Sequence, residues 1–244
     1  MHLQFVGSGD AFGSGGRFNT CFHVVGESAN FLIDCGASSL VGLKRLGIVR
    51  AAIDTILVTH FHGDHFGGVP YFVLDAHFGR RARPLVIAGP PGIESWYERA
   101  LEAAFEHFST IKLAFDLKLV TLPERVASAV GSLKVTPFPV VHGNSGGPFF
   151  AYRIAIEDRV ITYSGDTEWT DTLIEASRGA DLLVIECYSY DKPIRNHLNL
   201  KIIERNISRL GAKRVVLTHM SDDMLAQAAR VPHETANDGM VVEF

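Results

Sequence analysis

Thr59-His60-Phe61-His62-Gly63-Asp64-His65-Phe66-Gly67-Gly68 sets three histidines and a carboxylate within six residues. An apolar run, Thr55-Ile56-Leu57-Val58, precedes it and reads as a short buried strand. Imidazole nitrogen and carboxylate oxygen together suit zinc, and also manganese or iron. Gly63 and Gly67-Gly68 are read as letting the chain turn sharply around a small centre. The competing reading is a polar turn that happens to be rich in histidine. With 11 His in 244 residues, a chance His-x-His-x-Asp-His is expected in roughly one such chain per thousand, which favours the metal.

The motif resembles the signature of the metallo-β-lactamase superfamily, and the resemblance extends over the whole chain. It implies that His60 and His62 hold one metal, that Asp64 and His65 hold a second, and that three further ligands follow downstream. Outward from the motif, Leu133–Val141 reads as a strand that delivers His142-Gly143-Asn144. A histidine at a strand end is not specific alone; the resemblance makes His142 the third ligand of the first metal. Phe149–Ile156 and Arg159–Tyr163 pair as a hairpin turning at Glu157-Asp158, and lead to Ser164-Gly165-Asp166-Thr167. The family pattern makes Asp166 the carboxylate that bridges both metals. Relatives that cleave β-lactams often have cysteine there, so Asp166 argues against that activity. Arg214–Leu217 is the last core strand and ends in Thr218-His219-Met220, which resembles the final ligand motif.

Seven side chains thus stand in the family's order: His60, His62, Asp64, His65, His142, Asp166 and His219. A single metal needs only three or four ligands. Seven imply a centre of two divalent ions, zinc first and manganese or iron next. Two such ions lower the pKa of a shared water toward ~7, so that hydroxide exists at neutral pH. Asp64 is assigned two roles, metal ligand and acceptor of a proton from the attacking water. His197, in Asn196-His197-Leu198-Asn199, is the candidate donor to the leaving group. Relatives resembling transfer-RNA 3′ processing nucleases carry a histidine in this part of the chain, usually followed by serine and threonine, so the match is partial. A surface histidine at a helix start is the alternative. Glu186 is a candidate to orient His197, and Asp34 at most orients a ligand.

The rest of the chain sets bounds. At 244 residues and 47% hydrophobic residues, with 16 Phe, it can bury a sizeable core. The strand-strand-helix organisation repeats, and no linker or low-complexity tract interrupts it. The family architecture is a four-layer αββα sandwich of the α/β class, read as one domain over residues 1–244. Gly7-Ser8-Gly9-Asp10-Ala11-Phe12-Gly13 is glycine-rich but is not a dinucleotide fingerprint, because Phe12 stands where glycine is needed and another strand follows. The resemblance puts that loop at the site's mouth. Residues 38–47 read as a helix with Leu40, Leu43 and Leu46 on one face. Ile93–Phe108 reads as the clearest helix, with Trp96, Ala100, Ala103, Ala104 and His107 at helical spacing. Residues 198–210 read as a helix capped by Asn196 or Asn199.

Cys21, Cys35 and Cys187 form neither a disulfide framework nor a Cys-x-x-Cys pair, so a reducing cytoplasm fits best. No signal peptide or membrane span is read. The net charge of −4 does not suggest nucleic-acid binding through bulk charge. Only 23 residues separate His142 from Asp166, too few for the long substrate arm that the transfer-RNA nucleases insert there. The expectation is therefore a phosphodiesterase on a small or nucleotide-like phosphodiester, such as a cyclic nucleotide or a short linkage. A hydrolase of carboxylic esters, thioesters or lactones is the first alternative, and a non-catalytic sensor or binding protein on the same fold is the second. Phe12, Phe61, Phe66, Phe149, Tyr188 and Tyr190 lie beside the ligand loops, either to stack on a base or as plain core. Relatives are commonly dimers, so a homodimer is one expectation, although nothing in the sequence marks an interface.

Overall fold

A computed structural model describes residues 1–244. Fourteen strands form two seven-stranded sheets. The first contains β1 His2–Gly7, β2 Cys21–Val25, β3 Asn30–Ile33, β4 Thr55–Leu57, β5 Leu85–Gly89, β6 Leu117–Thr121 and β14 Val241–Glu243. Its order is β14-β1-β2-β3-β4-β5-β6. The second contains β7 Ser128–Val130, β8 Leu133–Pro139, β9 Phe150–Ile156, β10 Arg159–Tyr163, β11 Leu182–Glu186, β12 Val215–Thr218 and β13 Glu234–Thr235. Its order is β13-β12-β11-β10-β9-β8-β7. Each sheet begins antiparallel and becomes parallel, from β3 onward in the first and from β10 onward in the second. The two halves of the chain therefore repeat one plan. The C-terminal β14 breaks the symmetry by crossing back to pair with β1.

Side-chain alternation explains the layers. On β3, Phe31 and Ile33 enter a core of 24 buried residues between the sheets, while Leu32 faces the other way. On β11, Leu182 and Val184 enter that same core, and Leu183 and Ile185 point outward. Strands buried on both faces need cover outside. Helices α1 Ser39–Arg45, α3 Val69–Phe78 and α4 Ile93–Ala104 contribute to the apolar cluster on the outer face of the first sheet. Helices α5 Thr172–Ser177, α6 Leu200–Leu210 and the short α7 Asp222–Leu225 cover the second. The result is an αββα sandwich with flanking helices, as the resemblance implied.

One local expectation is corrected and one is narrowed to a single residue. Helix α4 ends at Ala104, short of the expected Phe108; its fully buried stripe is Ile93, Tyr97 and Leu101, with Trp96 and Ala100 packed half-buried beside it. His107 lies beyond the helix with φ +69 and is exposed. The Glu102 carboxylate accepts from the His107 backbone N–H and the Ser109 hydroxyl, which closes the chain round after α4. Helix α6 starts at Leu200, and of the two candidate caps it is Asn199 whose side chain accepts from Ile202 N–H at 3.0 Å. The hairpin of β9 and β10 forms as read, with Glu157 in the turn at φ +54.

Candidate metal centre

The C-terminal ends of β4, β8, β10, β11 and β12 converge on one crevice, the usual place for a site in sheets of this kind. Each of these strands delivers a chemical group there. His60 follows β4, His142 follows β8, Asp166 follows β10, Glu186 ends β11, and His219 follows β12 directly. The short helix α2, Gly63–Phe66, carries Asp64 and His65. Gly68 is needed for close approach: a Cβ there would strike the Gly36 carbonyl. Gly63 meets nothing and adopts no unusual backbone angle, so the reading of that glycine as a sharp turn is corrected. Three non-glycine residues at the site, Asp34, Asn196 and His219, sit in the left-handed region with φ of 57°, 68° and 58°. Backbone strain of this kind concentrates where a site must hold a fixed geometry.

The seven donor side chains come together in two sets. His60 Nε2 lies 3.1 Å from His62 Nδ1, and His142 Nε2 lies 3.2 Å from that same nitrogen. Asp64, His65, Asp166 and His219 form the second set, with one donor atom from each within 4.8 Å of the others. Asp166 Oδ2 is 3.2 Å from His65 Nε2, 3.1 Å from His219 Nε2 and 3.6 Å from His142 Nε2, so it reaches both sets.

The outward nitrogen of every imidazole is already held. His60 Nδ1 meets Thr59 Oγ1 at 3.1 Å, and His62 Nε2–H donates to the Ser145 carbonyl at 2.8 Å. His65 Nδ1–H donates to Asp34 Oδ2 at 2.7 Å, and His142 Nδ1–H donates to the Asn196 carbonyl at 2.8 Å. His219 Nδ1 meets Thr20 Oγ1 at 3.3 Å. These contacts fix the tautomer and aim each remaining lone pair at the crevice. Thr20 and the carbonyls of Ser145 and Asn196 carry no sequence signal for this task. Any residue offers a carbonyl, and threonine is common.

Asp166 Oδ1 is buried without a hydrogen-bond partner, and His65 Nε2, although 3.2 Å from Asp64 Oδ2 and from Asp166 Oδ2, makes no well-aligned hydrogen bond. Buried polar atoms are rarely left so, and an unplaced ion is a standard reason. Burial pushes His60 down, reinforced by nearby His65, and pushes His142 down as well, which favours the neutral ligating form of both. Burial alone would raise Asp64 and lower His65 and His219, but the acid–base pairs of the second set outweigh it. They hold Asp64 down at about 2, His219 up at about 9 and His65 above its ordinary value, so that in the metal-free site protons stand between the carboxylates where a cation would sit. The donor chemistry, the convergence and the orphaned atoms all fit divalent metal binding.

His197 lies on the same cavity, of about 250 Å³, with His62, Asp64, Asp166 and His219. Its Nδ1–H donates to Glu186 Oε2 at 3.1 Å. Glu186 is fully buried and also accepts from the Thr167 backbone N–H. Burial would lower His197, yet Glu186 outweighs that and raises it above its ordinary value. Tyr188 stacks on the His197 ring, centroids 4.4 Å apart. A loose surface histidine is not what the structure shows.

The family model for Anti-Pycsar protein Apyc1 matches residues 1–241. The chain belongs to this family. A phage Apyc1 relative, the Anti-Pycsar protein Apyc1 of Bacillus phage 010DV004, is 27% identical over 237 residues, covering 92% of this chain and 90% of its own length. Ribonuclease Z of Methanothermobacter thermautotrophicus is 26% identical over 301 residues, covering 100% of this chain and 96% of its own. That alignment runs over 301 positions against 244 residues here, so the archaeal relative carries insertions that this Apyc1-family chain lacks. The crystal structure of human tRNase Z, short form (ELAC1), shares the fold at TM-score 0.80 and 24% identity, covering 100% of this chain and 99% of that one. The Apyc1-family chain is thus a hydrolase of the metallo-β-lactamase fold, in the branch of ribonuclease Z and phosphodiesterase-type enzymes.

These relatives overturn one expectation. Net charge and the short segment after His142 argued against bulk nucleic acid, yet relatives spanning the chain are named for action on RNA. Total charge does not decide the matter, because a substrate phosphate meets the local field of the crevice and not the sum over the surface. No helix is long and apolar enough to cross a membrane.

Proposed function

We propose that this chain is a dinuclear metal-dependent phosphodiesterase that cleaves a ribonucleotide phosphodiester bond, with RNA inside its substrate range. One observation carries the reading: two converging donor sets share the Asp166 carboxylate, and their inner donor atoms crowd one another at 3.1–3.6 Å. His60, His62 and His142 would hold the first ion and Asp64, His65 and His219 the second, with Asp166 between them. His/Asp donors of this number favour zinc. When bound, such a pair of ions activates water and neutralises charge building on the phosphate oxygens.

The chain's own groups supply the remainder. Asp64 faces the cavity, where its carboxylate would accept a proton from the attacking water. His197, held by Glu186, presents Nε2 to the cavity and gives a proton to the departing oxygen. Ribonuclease Z and tRNase Z kinship points to the phosphodiester as the bond attacked. Residues 1–244 act as one catalytic domain, the crevice being built from both sheets. Three free buried cysteines suit a reducing cytoplasm.

The test uses protein loaded with zinc, then separately with manganese. It is offered bis(p-nitrophenyl) phosphate, a transfer RNA with a 3′ extension, and cyclic nucleoside monophosphates. Metal-dependent cleavage of the aryl diester and of at least one ribonucleotide substrate is expected, with Asp64→Asn at least a hundredfold slower. Fully loaded protein that cleaves an ester or lactone but no phosphodiester refutes the proposal.

A further inference from the structure

We infer that Phe12 is a stacking platform for a nucleobase of the substrate, a role that rests on the phosphodiesterase reading above. Six aromatic residues lie beside the donor loops, and the structure separates them. Phe61 and Phe66 are buried in the outer core of the first sheet. Phe149 packs on the rings of His60, His62 and His142. Tyr188 stacks on His197, and Tyr190 lies under the Lys201 ammonium. Phe12 is left with no ring or cation against it and is 88% exposed.

Exposure alone would say little, since single apolar residues are normal on a surface. Position and rigidity say more. Phe12 lines the cavity that holds Asp64, Asp166, His197 and His219. Its loop is fixed. Asp10, itself buried, accepts from Phe12 N–H at 3.2 Å and Ser14 N–H at 2.9 Å, and its other oxygen accepts from Ser14 Oγ at 2.8 Å. Gly13 adopts φ +70. Asn19 Nδ2 donates to the Asp10 carbonyl at 3.0 Å, and Gly15 N–H donates to Asp222 Oδ1 at 3.0 Å. The ring is therefore carried on a braced turn at the mouth, beside a floor of imidazoles and carboxylates. A phosphate on that floor has its base one sugar away, at the rim. A flat aromatic face there stacks on any base, which gives affinity with little sequence preference.

The experiment compares two esters with the same leaving group in the metal-loaded protein. Uridine 5′-(p-nitrophenyl phosphate) bears a base, and methyl p-nitrophenyl phosphate does not. Phe12→Ala is expected to raise KM for the uridine ester by about 5- to 100-fold with little change in kcat, so that the preference for it over the methyl ester collapses by the same factor. Phe12→Trp is expected to restore the preference. If Phe12→Ala leaves that preference intact, or slows both esters in parallel while changing the sedimentation of the protein, Phe12 serves packing or an interface and the inference is wrong. Wild-type protein that cleaves neither ester sinks the phosphodiesterase reading itself, and this inference with it.

Discussion

Replacing His197 by alanine tests the division of labour in the crevice. The ring is aligned by a 3.1 Å hydrogen bond to Glu186 and a 4.4 Å stack on Tyr188, so its Nε2 has one direction in which to act. A positioned general acid contributes about 10²–10⁴ in rate. At about 1.4 kcal/mol per decade that is roughly 3–5.5 kcal/mol of barrier. The loss should depend on the leaving group. A methyl or ribose oxygen leaves badly without a proton and should show the full effect. A p-nitrophenolate leaves without one and should show a tenfold loss or less. Stability should fall as well, because the buried Glu186 carboxylate keeps Thr167 N–H but loses its histidine. Leaving a buried acceptor short costs about 1–3 kcal/mol. The assay is steady-state kcat for paired alkyl and aryl diesters, with a melting curve on the same preparation. Equal losses on both diesters, with metal content intact, would refute the assignment of His197 as proton donor.

Asp34→Asn keeps a hydrogen-bond acceptor beside His65 but removes the charge, and it should weaken metal binding about 10- to 100-fold in competition with a chelator. Unchanged affinity would mean that the 2.7 Å contact only fills space. Away from the site, burial would raise Asp75, but Lys44 and Arg50, each 2.8 Å away, outweigh it and hold its carboxyl below the ordinary value. A depressed carboxyl stabilises the folded state above its unfolded pKa, and that contribution fades as pH falls through the folded value. Asp75→Asn should therefore lower stability at pH 7 by up to about 1 kcal/mol, and the gap from wild type should narrow steadily as pH falls below the ordinary carboxylate range. A gap in urea denaturation that stays constant as pH falls through that range would contradict the ion-pair explanation.

The site was more legible in the sequence than its support. His60, His62, Asp64 and His65 lie close together in the chain, and their spacing is rare enough to read directly. His142, Asp166 and His219 each follow a strand, and only the resemblance tied them to the same centre. The groups that aim the rings could not be read. Ser145 and Asn196 act through backbone carbonyls, and Thr20 is brought to His219 by the pairing of β1 with β2. Helix α4 was read in the right place, but its main stripe and its end were not legible, for a related reason. Alanine counts as apolar in a periodic pattern, yet it has little surface to bury and favours exposed helix positions as readily. The true stripe of Ile93, Tyr97 and Leu101 carries the larger side chains. Its end at Ala104 has no glycine or proline to announce it. Substrate class was misjudged from total charge, which averages away the local environment of the phosphate.

The most direct measurement is metal stoichiometry on the purified chain after loading and removal of free ions. Two equivalents of divalent metal per chain are expected, falling to one or fewer in Asp166→Ala, with a higher melting temperature for loaded than for stripped protein. A wild-type chain that retains no metal and melts at the same temperature in both states would contradict the account at its centre.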